Sequence, residues 1–226
     1  MKKIVILCLL GIGHFVQAQT QTTSTLTTPW PSDGPQPDRD IYTYTRTADD
    51  QFVFNWEMAI PSNNAFLSEN SYSGGRMDYK HFLDGGNVAV GLSLGWNSYD
   101  EYFGPQLYER PDGSGAVYTD MVRHIYTVPV AVNAYYFLYK SNIKPYIGVG
   151  IGTQYSEQES FFNIYVVNED NWGFLVKPEI GLQVEVNSTF GIATYMTYNY
   201  ATNENDYFNI DSLASINIGA GIYWEW

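Results

Sequence analysis

Cysteine is almost absent from this chain of 226 residues, which contains a single one, Cys8. That cysteine lies in an apolar N-terminal segment that we predict to be removed, so the mature chain would contain none. A disulfide framework and a cysteine-based metal site are therefore excluded from the mature protein.

Basic residues are also scarce, with 11 Lys and Arg against 24 Asp and Glu and a net charge of −13. A nucleic-acid-binding protein needs a basic surface that displaces counterions from phosphates. The charge balance therefore excludes nucleic acid as a partner. Charged residues of either sign make up only 15% of the chain, against roughly 25% in an average soluble domain.

No apolar run after residue 18 approaches the roughly 20 residues that a transmembrane helix needs. If the mature chain crosses a membrane, it must do so with strands. Every backbone polar group must be hydrogen-bonded in lipid, and for strands only a closed barrel meets that condition.

The N-terminus has the layout of a secretory signal. Lys2 and Lys3 precede an apolar stretch at 4–13, and Ala18 provides a small residue for cleavage. We therefore predict a signal peptide at 1–18. Residues 19–50 are rich in Thr, Ser, Gln, Pro and Asp, which indicates a polar, mostly disordered periplasmic tail.

From residue 51 onward, alternation of apolar and polar residues dominates the sequence. It predicts eight strands, at 51–60, 72–83, 87–103, 116–139, 144–157, 171–186, 190–202 and 213–226. Tight turns at 84–87, 140–143 and 187–189 alternate with longer polar connections at 61–71, 104–115, 158–170 and 203–212. This is the pattern of an all-β, eight-stranded antiparallel up-and-down transmembrane β-barrel over 51–226, with both termini periplasmic.

The two faces of each predicted strand differ in chemistry. In the last strand Ile216, Ile218 and Ile222 share one face, while Gly219 and Gly221 share the other. We predict that the apolar face contacts lipid and that the small and ionisable face lines the lumen. The inner face also collects glycines that make room for longer neighbours, namely Gly91, Gly95, Gly148, Gly150, Gly152, Gly181, Gly219 and Gly221.

Seven ionisable residues fall on the predicted inner face: Glu57, Arg76, Asp78, Lys80, Lys177, Glu179 and Glu185. Buried charges need partners, so we predict a paired polar network that plugs the lumen. A lining for ion passage is the open alternative. Pro129 and Pro178 interrupt predicted strands, and we expect bulges or interfacial positions there.

Three segments resemble small outer-membrane β-barrels of the OmpA-transmembrane and OmpX type. They are 127–137, 144–152 and the C-terminal sequence Ile222-Tyr223-Trp224-Glu225-Trp226. The resemblance covers about 51–226. It implies a monomer in the bacterial outer membrane, with membrane lipid as its surroundings. It also implies that Ile222, Trp224 and Trp226 form the signal read by the barrel-assembly machinery.

The expected function is a mainly structural or surface-interaction role. A small channel, or a route for small or apolar molecules, is the alternative, and a lipid-modifying enzyme is a further one. His124 lies near Asp120, but no spacing brings a serine nucleophile to it. We therefore predict no enzyme and no catalytic, cofactor-binding or metal-binding residues. A secreted lipocalin-like barrel, with its apolar face inside, remains the competing fold.

Overall fold

The structure is a computed structural model that describes residues 49–63, 67–83, 86–109, 115–138, 141–162 and 165–226. The predicted signal peptide and the predicted tail up to residue 48 lie outside these residues. Within the described part of the chain, no helix is long and apolar enough to cross a membrane.

Eight antiparallel strands form one closed barrel, in which each strand pairs with its sequence neighbours and the last pairs with the first. The predicted fold is confirmed. The strands are β1 (Asp50–Pro61), β2 (Ser71–Phe82), β3 (Val88–Glu109), β4 (Ala116–Phe137), β5 (Ile143–Phe162), β6 (Tyr165–Glu185), β7 (Phe190–Ala201) and β8 (Leu213–Glu225).

Side chains alternate between the lumen and the outer wall because successive residues of a strand point to opposite faces. On β3, Leu92 and Leu94 are exposed, whereas Gly91, Ser93 and Gly95 are buried. The apolar face is therefore outside, as predicted. The lipocalin-like alternative is wrong, because it required the aliphatic face to line a central cavity.

The ends of the barrel differ, and we name them by their connections. The turn end holds the connections 83–87, 138–142 and 186–189 together with the first residue of β1 and the last of β8. β3 to β6 are 20 to 22 residues long, whereas the other four strands have 12 or 13, and the additional length lies at the opposite end. We call this the sheet end.

The four long strands form a projecting sheet, which consists of residues 97–109, 116–127, 154–162 and 165–173. The predicted loop at 104–115 is therefore wrong over its first half and the one at 158–170 over most of its length: β3 reaches Glu109, β5 reaches Phe162, and β6 begins at Tyr165. The reason is that both faces of this sheet carry polar residues, as at 157–160, so the two-residue alternation disappears while backbone pairing continues.

Two rows of aromatic side chains surround the outer wall. Towards the sheet end Tyr155 pairs with Trp172, with ring centroids 5.3 Å apart, and Trp56 and Trp96 lie in the same row. Towards the turn end Phe190 and Trp224 have centroids 5.9 Å apart, with Tyr79, Tyr136 and Trp226 nearby in the register. Such rows mark the two membrane–water interfaces of barrels that cross a bilayer.

The prolines inside the wall do not produce bulges. The β4–β5 register runs through Pro129 and the β5–β6 register through Pro178 without a shift. Each proline interrupts pairing on its other side only, towards β3 or towards β7. The expectation of bulges is therefore wrong, whereas Pro129 lies next to Val128, which pairs with Tyr155 of the sheet-end aromatic row. The Thr197 hydroxyl donates to the Pro178 carbonyl at 2.9 Å, which partly replaces the missing backbone bond.

Tyrosines fill the lumen by lying against glycines of the neighbouring strand. The register pairs four of them in this way: Tyr135 with Gly148, Tyr146 with Gly181, Tyr195 with Gly219 and Tyr223 with Gly191. A Cβ atom at any of these glycines would collide with the paired ring. The glycines therefore allow large rings to lie flat along the wall of a narrow barrel.

Candidate functional site

An ion-pair network crosses the middle of the lumen. Arg76 of β2 donates to Glu179 of β6 at 2.7 and 3.1 Å, and its Nε donates to Asp78 at 3.0 Å. Both carboxylates are buried, and the Tyr146 hydroxyl donates a further bond to Glu179 at 2.8 Å. The guanidinium also lies 3.5 Å from the centroid of the Tyr195 ring.

Glu57 lies closer to the sheet end, and its hydrogen-bond donors are neutral. Its two carboxylate oxygens accept bonds from the Tyr195 hydroxyl and from the amides of Asn97 and Asn217, the Asn97 bond being 2.9 Å long. Three convergent donors replace the water that a buried carboxylate loses. Glu57 is therefore held in place by polar side chains of three other strands.

The buried lysines sit in two different environments. Lys177 donates to the Ser93 hydroxyl at 2.7 Å. The Lys80 ammonium lies 4.3 Å and 4.7 Å from the ring centroids of Tyr135 and Tyr146, within the range of cation–π attraction. Lys80 thus contributes to the same packed layer as the tyrosines.

At the turn end Lys144 pairs with Glu185 at 2.9 Å and lies 3.8 Å from Glu225. Gln51 and Gln183 exchange hydrogen bonds of 3.1 and 2.8 Å, and Gln51 also donates to Glu225 at 2.8 Å. Lys144 and Glu225 were not among the predicted network residues, although strand alternation already places Glu225 on the inner face.

All seven predicted network residues lie inside the barrel, and the contacts that hold them differ. Arg76, Asp78 and Glu179 are joined directly. Glu185 belongs to the group at the turn end, where it is less deeply buried than the others. The remaining three, Glu57, Lys80 and Lys177, are held by hydroxyl, amide and aromatic groups.

Buried apolar side chains cluster towards both ends of the lumen. Near the turn end, a buried cluster consists of Phe82, Ala89, Tyr135, Phe137, Tyr146 and Tyr195. At the sheet end, Leu67 from the β1–β2 connection and Ile210 from the β7–β8 connection pack on Ala59, Tyr99, Ile125 and Leu213. Leu67 and Ile210 were missed because they fall in predicted loops, although an apolar residue in a polar connection is itself a signal.

A small cavity of about 20 Å³ remains between the sheet-end cap and the Glu57 layer. Asn97, Thr127, Gln154, Asn199 and Ser215 contribute polar groups to its lining. This volume accommodates about one water molecule.

The projecting sheet is strongly acidic. Among its described residues eight carboxylates accompany one arginine, Arg123; the acids are Asp100, Glu101, Glu109, Asp120, Glu157, Glu159, Glu169 and Asp170. Asn168 donates to both Glu157 and Glu159, at 2.8 and 2.9 Å. Within the described residues, no group of three or more His, Cys, Asp or Glu is arranged to hold a metal ion.

His124 lies on the outer face of this sheet and bonds to Asp100 at 2.6 Å. Asp120, its neighbour in sequence, instead accepts a bond from the Tyr102 hydroxyl at 3.4 Å. The nearest described serine contact is between Ser98 and Asp100, at 3.5 Å, so the carboxylate rather than the histidine holds the serine.

The two edges of the projecting sheet differ. The β3 edge contains Pro105 within a register shift, and Glu101 near its base accepts two bonds from Ser68. The β6 edge has neither proline nor glycine over 165–172, and its register with β5 is continuous. Asn171 at its base contacts the β7–β8 connection, whereas 166–170 has no strand partner on this side among the described residues. Proline and a register shift, two features that block an edge, are thus present on β3 and missing on β6.

The residues of the predicted assembly signal lie at the C-terminal end of β8 and, for Trp226, directly after it. Trp224 and Trp226 are exposed on the outer wall at the turn end, and Ile222 is half-buried beside them. Their role as an assembly signal stays a prediction.

The fold is shared with known barrels. The structure is similar to Neisserial surface protein A (NspA), with a TM-score of 0.55 and 13% identity over 79% of this chain and 98% of that one. Weaker similarity extends to the Yersinia pestis attachment invasion locus protein Ail (TM-score 0.47, 11% identity, 78% and 98% covered) and to the N-terminal β-barrel domain of Pseudomonas aeruginosa OprF (0.41, 12%, 78% and 98%). No family model and no curated protein matches the chain. The chain therefore has the small eight-stranded barrel fold that its OmpA- and OmpX-like segments predict.

Proposed function

We propose that this chain is a monomeric barrel of the bacterial outer membrane, with its turn end in the periplasm and its projecting sheet outside the cell. The aliphatic outer wall between two aromatic rows supports insertion in a bilayer. The shared fold with NspA supports the same location. The turn end carries the short connections, which face the periplasm in barrels of this kind.

The lumen is closed to solutes and has a structural role. The observation that carries this proposal is the combination of an Arg76–Glu179 ion pair across the lumen with an apolar cap at each end. An eight-stranded barrel has an interior just wide enough for side chains, and here side chains occupy it. The barrel thus serves as a rigid anchor for the parts outside the membrane.

The surface role belongs to the projecting sheet. Its carboxylates favour a cationic partner, and the β6 edge at 166–170 offers backbone N–H and C=O groups that an extended segment can pair with. Self-pairing of two copies through this edge would bring Asp170 and Glu169 of each copy together. We therefore favour a basic extended segment of another protein as the partner.

Binding of a basic peptide to the nanodisc-embedded protein tests this role. Asp170→Lys removes a negative charge from the edge, and Asn168→Pro removes an edge donor. The backbone N–H and C=O groups of Phe174 point towards β7. Every second residue of a strand points its backbone groups to the same side, so the Asn168 N–H also points away from β5. We expect both variants to bind at least tenfold more weakly, and binding to weaken as salt rises. Asp49→Lys at the turn end is the matched control, and an equal loss in that variant would refute a role for the β6 edge.

A small channel is the alternative function. The buried ionisable groups would favour it if the Leu67 and Ile210 cap left the mouth of the barrel. A lipid-modifying enzyme has less support, since His124 is engaged by Asp100 and no serine bonds to it among the described residues.

A further inference from the structure

A cleft of about 380 Å³ lies at the sheet end, between the inner face of the projecting sheet and the β7–β8 connection. The sheet contributes Met121, Arg123, Ser160 and Phe162, and the connection contributes Tyr207, Phe208 and Asn209. The volume falls within the usual range for small-molecule sites. Neither the lumen network nor the β6 edge uses these residues.

The wall formed by the β7–β8 connection is built as a rigid turn. Asn205 and Ile210 exchange backbone hydrogen bonds of 2.7 and 2.9 Å. The Asn205 side chain accepts bonds from the amides of Tyr207 and Phe208, and it donates to Gln158 of the sheet at 2.7 Å. Asn209 adopts a left-handed backbone conformation, with φ of 53°, which asparagine tolerates better than most residues. The turn at 205–210 is therefore held in one conformation before any ligand binds, which lowers the entropic cost of binding.

The opposite wall is also fixed by packing. Phe162 contacts Tyr108 edge to face, with ring centroids 5.3 Å apart. The Arg123 guanidinium lies 4.7 Å from the centroid of the Phe103 ring, which orients it along the inner face of the sheet. Tyr207 and Phe208 meet edge to face at 5.0 Å on the other side. The cleft thus presents aromatic rings on both walls and hydroxyl, amide and guanidinium groups between them.

The charges around the cleft narrow the class of ligand. Arg123 in the lining disfavours a cation, although aromatic rings alone would attract one. Glu101 and Glu169, which strand alternation places on the inner face of the same sheet, disfavour an anion. What remains is a neutral molecule with apolar faces and a polar rim. A sugar ring has this form, because its C–H groups lie on its faces and its hydroxyls around its edge.

We propose that this cleft binds a neutral pyranose ring, with Tyr207 and Phe162 contacting its faces and Ser160, Asn209 and Arg123 bonding to its hydroxyls. The inference rests on the proposed function only for the position of the cleft outside the cell. Such a ring is available there from two sources, the core sugars of lipopolysaccharide and glycans that reach the cell from outside.

Saturation-transfer NMR on the full mature chain in nanodiscs tests the proposal. The probes are methyl glucoside, methyl galactoside and methyl N-acetylglucosaminide, with methyl glucuronide and glucosamine as anionic and cationic counterparts. We expect transfer from the protein to the ring C–H protons of at least one neutral sugar, and weaker binding of both charged sugars. Lipopolysaccharide core oligosaccharide and cellotetraose, added separately, distinguish the two sources.

Tyr207→Ala is the test variant, because Tyr207 is 57% exposed and its removal should leave the fold intact. Tyr118→Ala is the matched control, since Tyr118 is 72% exposed on the same sheet and does not line the cleft. We expect binding at least tenfold weaker in Tyr207→Ala and unchanged in Tyr118→Ala. Absence of transfer to every neutral sugar would overturn the proposal, as would tighter binding of a charged sugar or equal losses in the two variants. Binding of the basic peptide by Tyr207→Ala should be normal, which separates failure of this site from failure of the β6 edge.

Discussion

Arg76 and Glu179 are 103 residues apart in sequence and lie on opposite sides of the barrel, yet their side chains share two hydrogen bonds of 2.7 and 3.1 Å. Because β2 and β6 are separated by three strands in either direction around the wall, this pair spans the lumen. Both groups are buried, so neither can exchange its partner for water without opening the barrel.

Arg76 should matter more to stability than Glu179. Arg76→Met removes the cation that bonds directly to both Asp78 and Glu179, and we expect a loss of about 3–5 kcal/mol in the free energy of unfolding. Glu179→Gln leaves Arg76 paired with Asp78, so we expect a smaller loss of about 1–3 kcal/mol. Urea unfolding in detergent micelles measures both, with the exposed Glu69→Gln as control. A larger loss for Glu179→Gln than for Arg76→Met would contradict this order.

Gly219 should tolerate no side chain. A methyl group there meets the ring of Tyr195, and Tyr195 in turn donates to Glu57, so Gly219→Ala disturbs both contacts. We expect about 1–3 kcal/mol of destabilisation from overpacking. Gly104→Ala is the matched control, because nothing lies within 4 Å of a Cβ atom at that position. Equal thermal stability of the two variants would show that the ring has room to move.

Replacing Pro178 should restore backbone hydrogen bonding between β6 and β7 near this residue. The residues at 177 and 178 have no paired partner on β7, and Pro178 has no N–H to offer. In Pro178→Ala we expect amide exchange at Tyr198 to slow several-fold, in line with about 1 kcal/mol for one net hydrogen bond. Hydrogen exchange followed by NMR measures this, and Pro105→Ala in the projecting sheet should leave Tyr198 unchanged. Unaltered amide exchange in Pro178→Ala would mean that β6 and β7 remain unpaired at this position.

The aromatic rows should lie at the two lipid interfaces. Single-tryptophan variants that retain either Trp172 or Trp224, both exposed on the outer wall, report the depth of each row. We expect lipids brominated near the headgroup to quench both fluorophores more than lipids brominated at the chain ends. Absence of quenching by any brominated lipid would show that the outer wall does not face the bilayer.

The sequence was most informative where one face of a strand is apolar. In β8 the alternation runs through the whole strand, and the predicted limits, 213–226, differ from the observed Leu213–Glu225 by one residue. In β6 the same reasoning located the wall segment but missed the strand from Tyr165 to Asp170, where Asn168 and Glu169 are polar on opposite faces. Alternation of apolar and polar residues therefore identifies the part of a strand that has an apolar medium on one face. It does not identify a strand segment that is polar on both faces.

The candidate site was only partly predictable for the same reason. The alternation of side chains along each strand is enough to place Arg76, Asp78 and Glu179 inside the lumen. It does not show which inward-facing side chains contact each other across the lumen. The cap depends on Leu67 and Ile210, whose positions follow from how two connections fold over the mouth. The cleft beneath the projecting sheet likewise combines strand and connection residues that are distant in sequence.

Conductance across a planar bilayer tests the central claim, a lumen sealed by the Arg76–Glu179 pair and its two caps, most directly. Purified full-length mature protein, inserted at known density and held at a range of voltages, should give no stable conductance steps. The Leu67→Asp/Ile210→Asp variant should also remain closed, because the ion-pair layer lies beneath the cap. Stable nanosiemens-scale steps from the unmodified protein would contradict the sealed lumen.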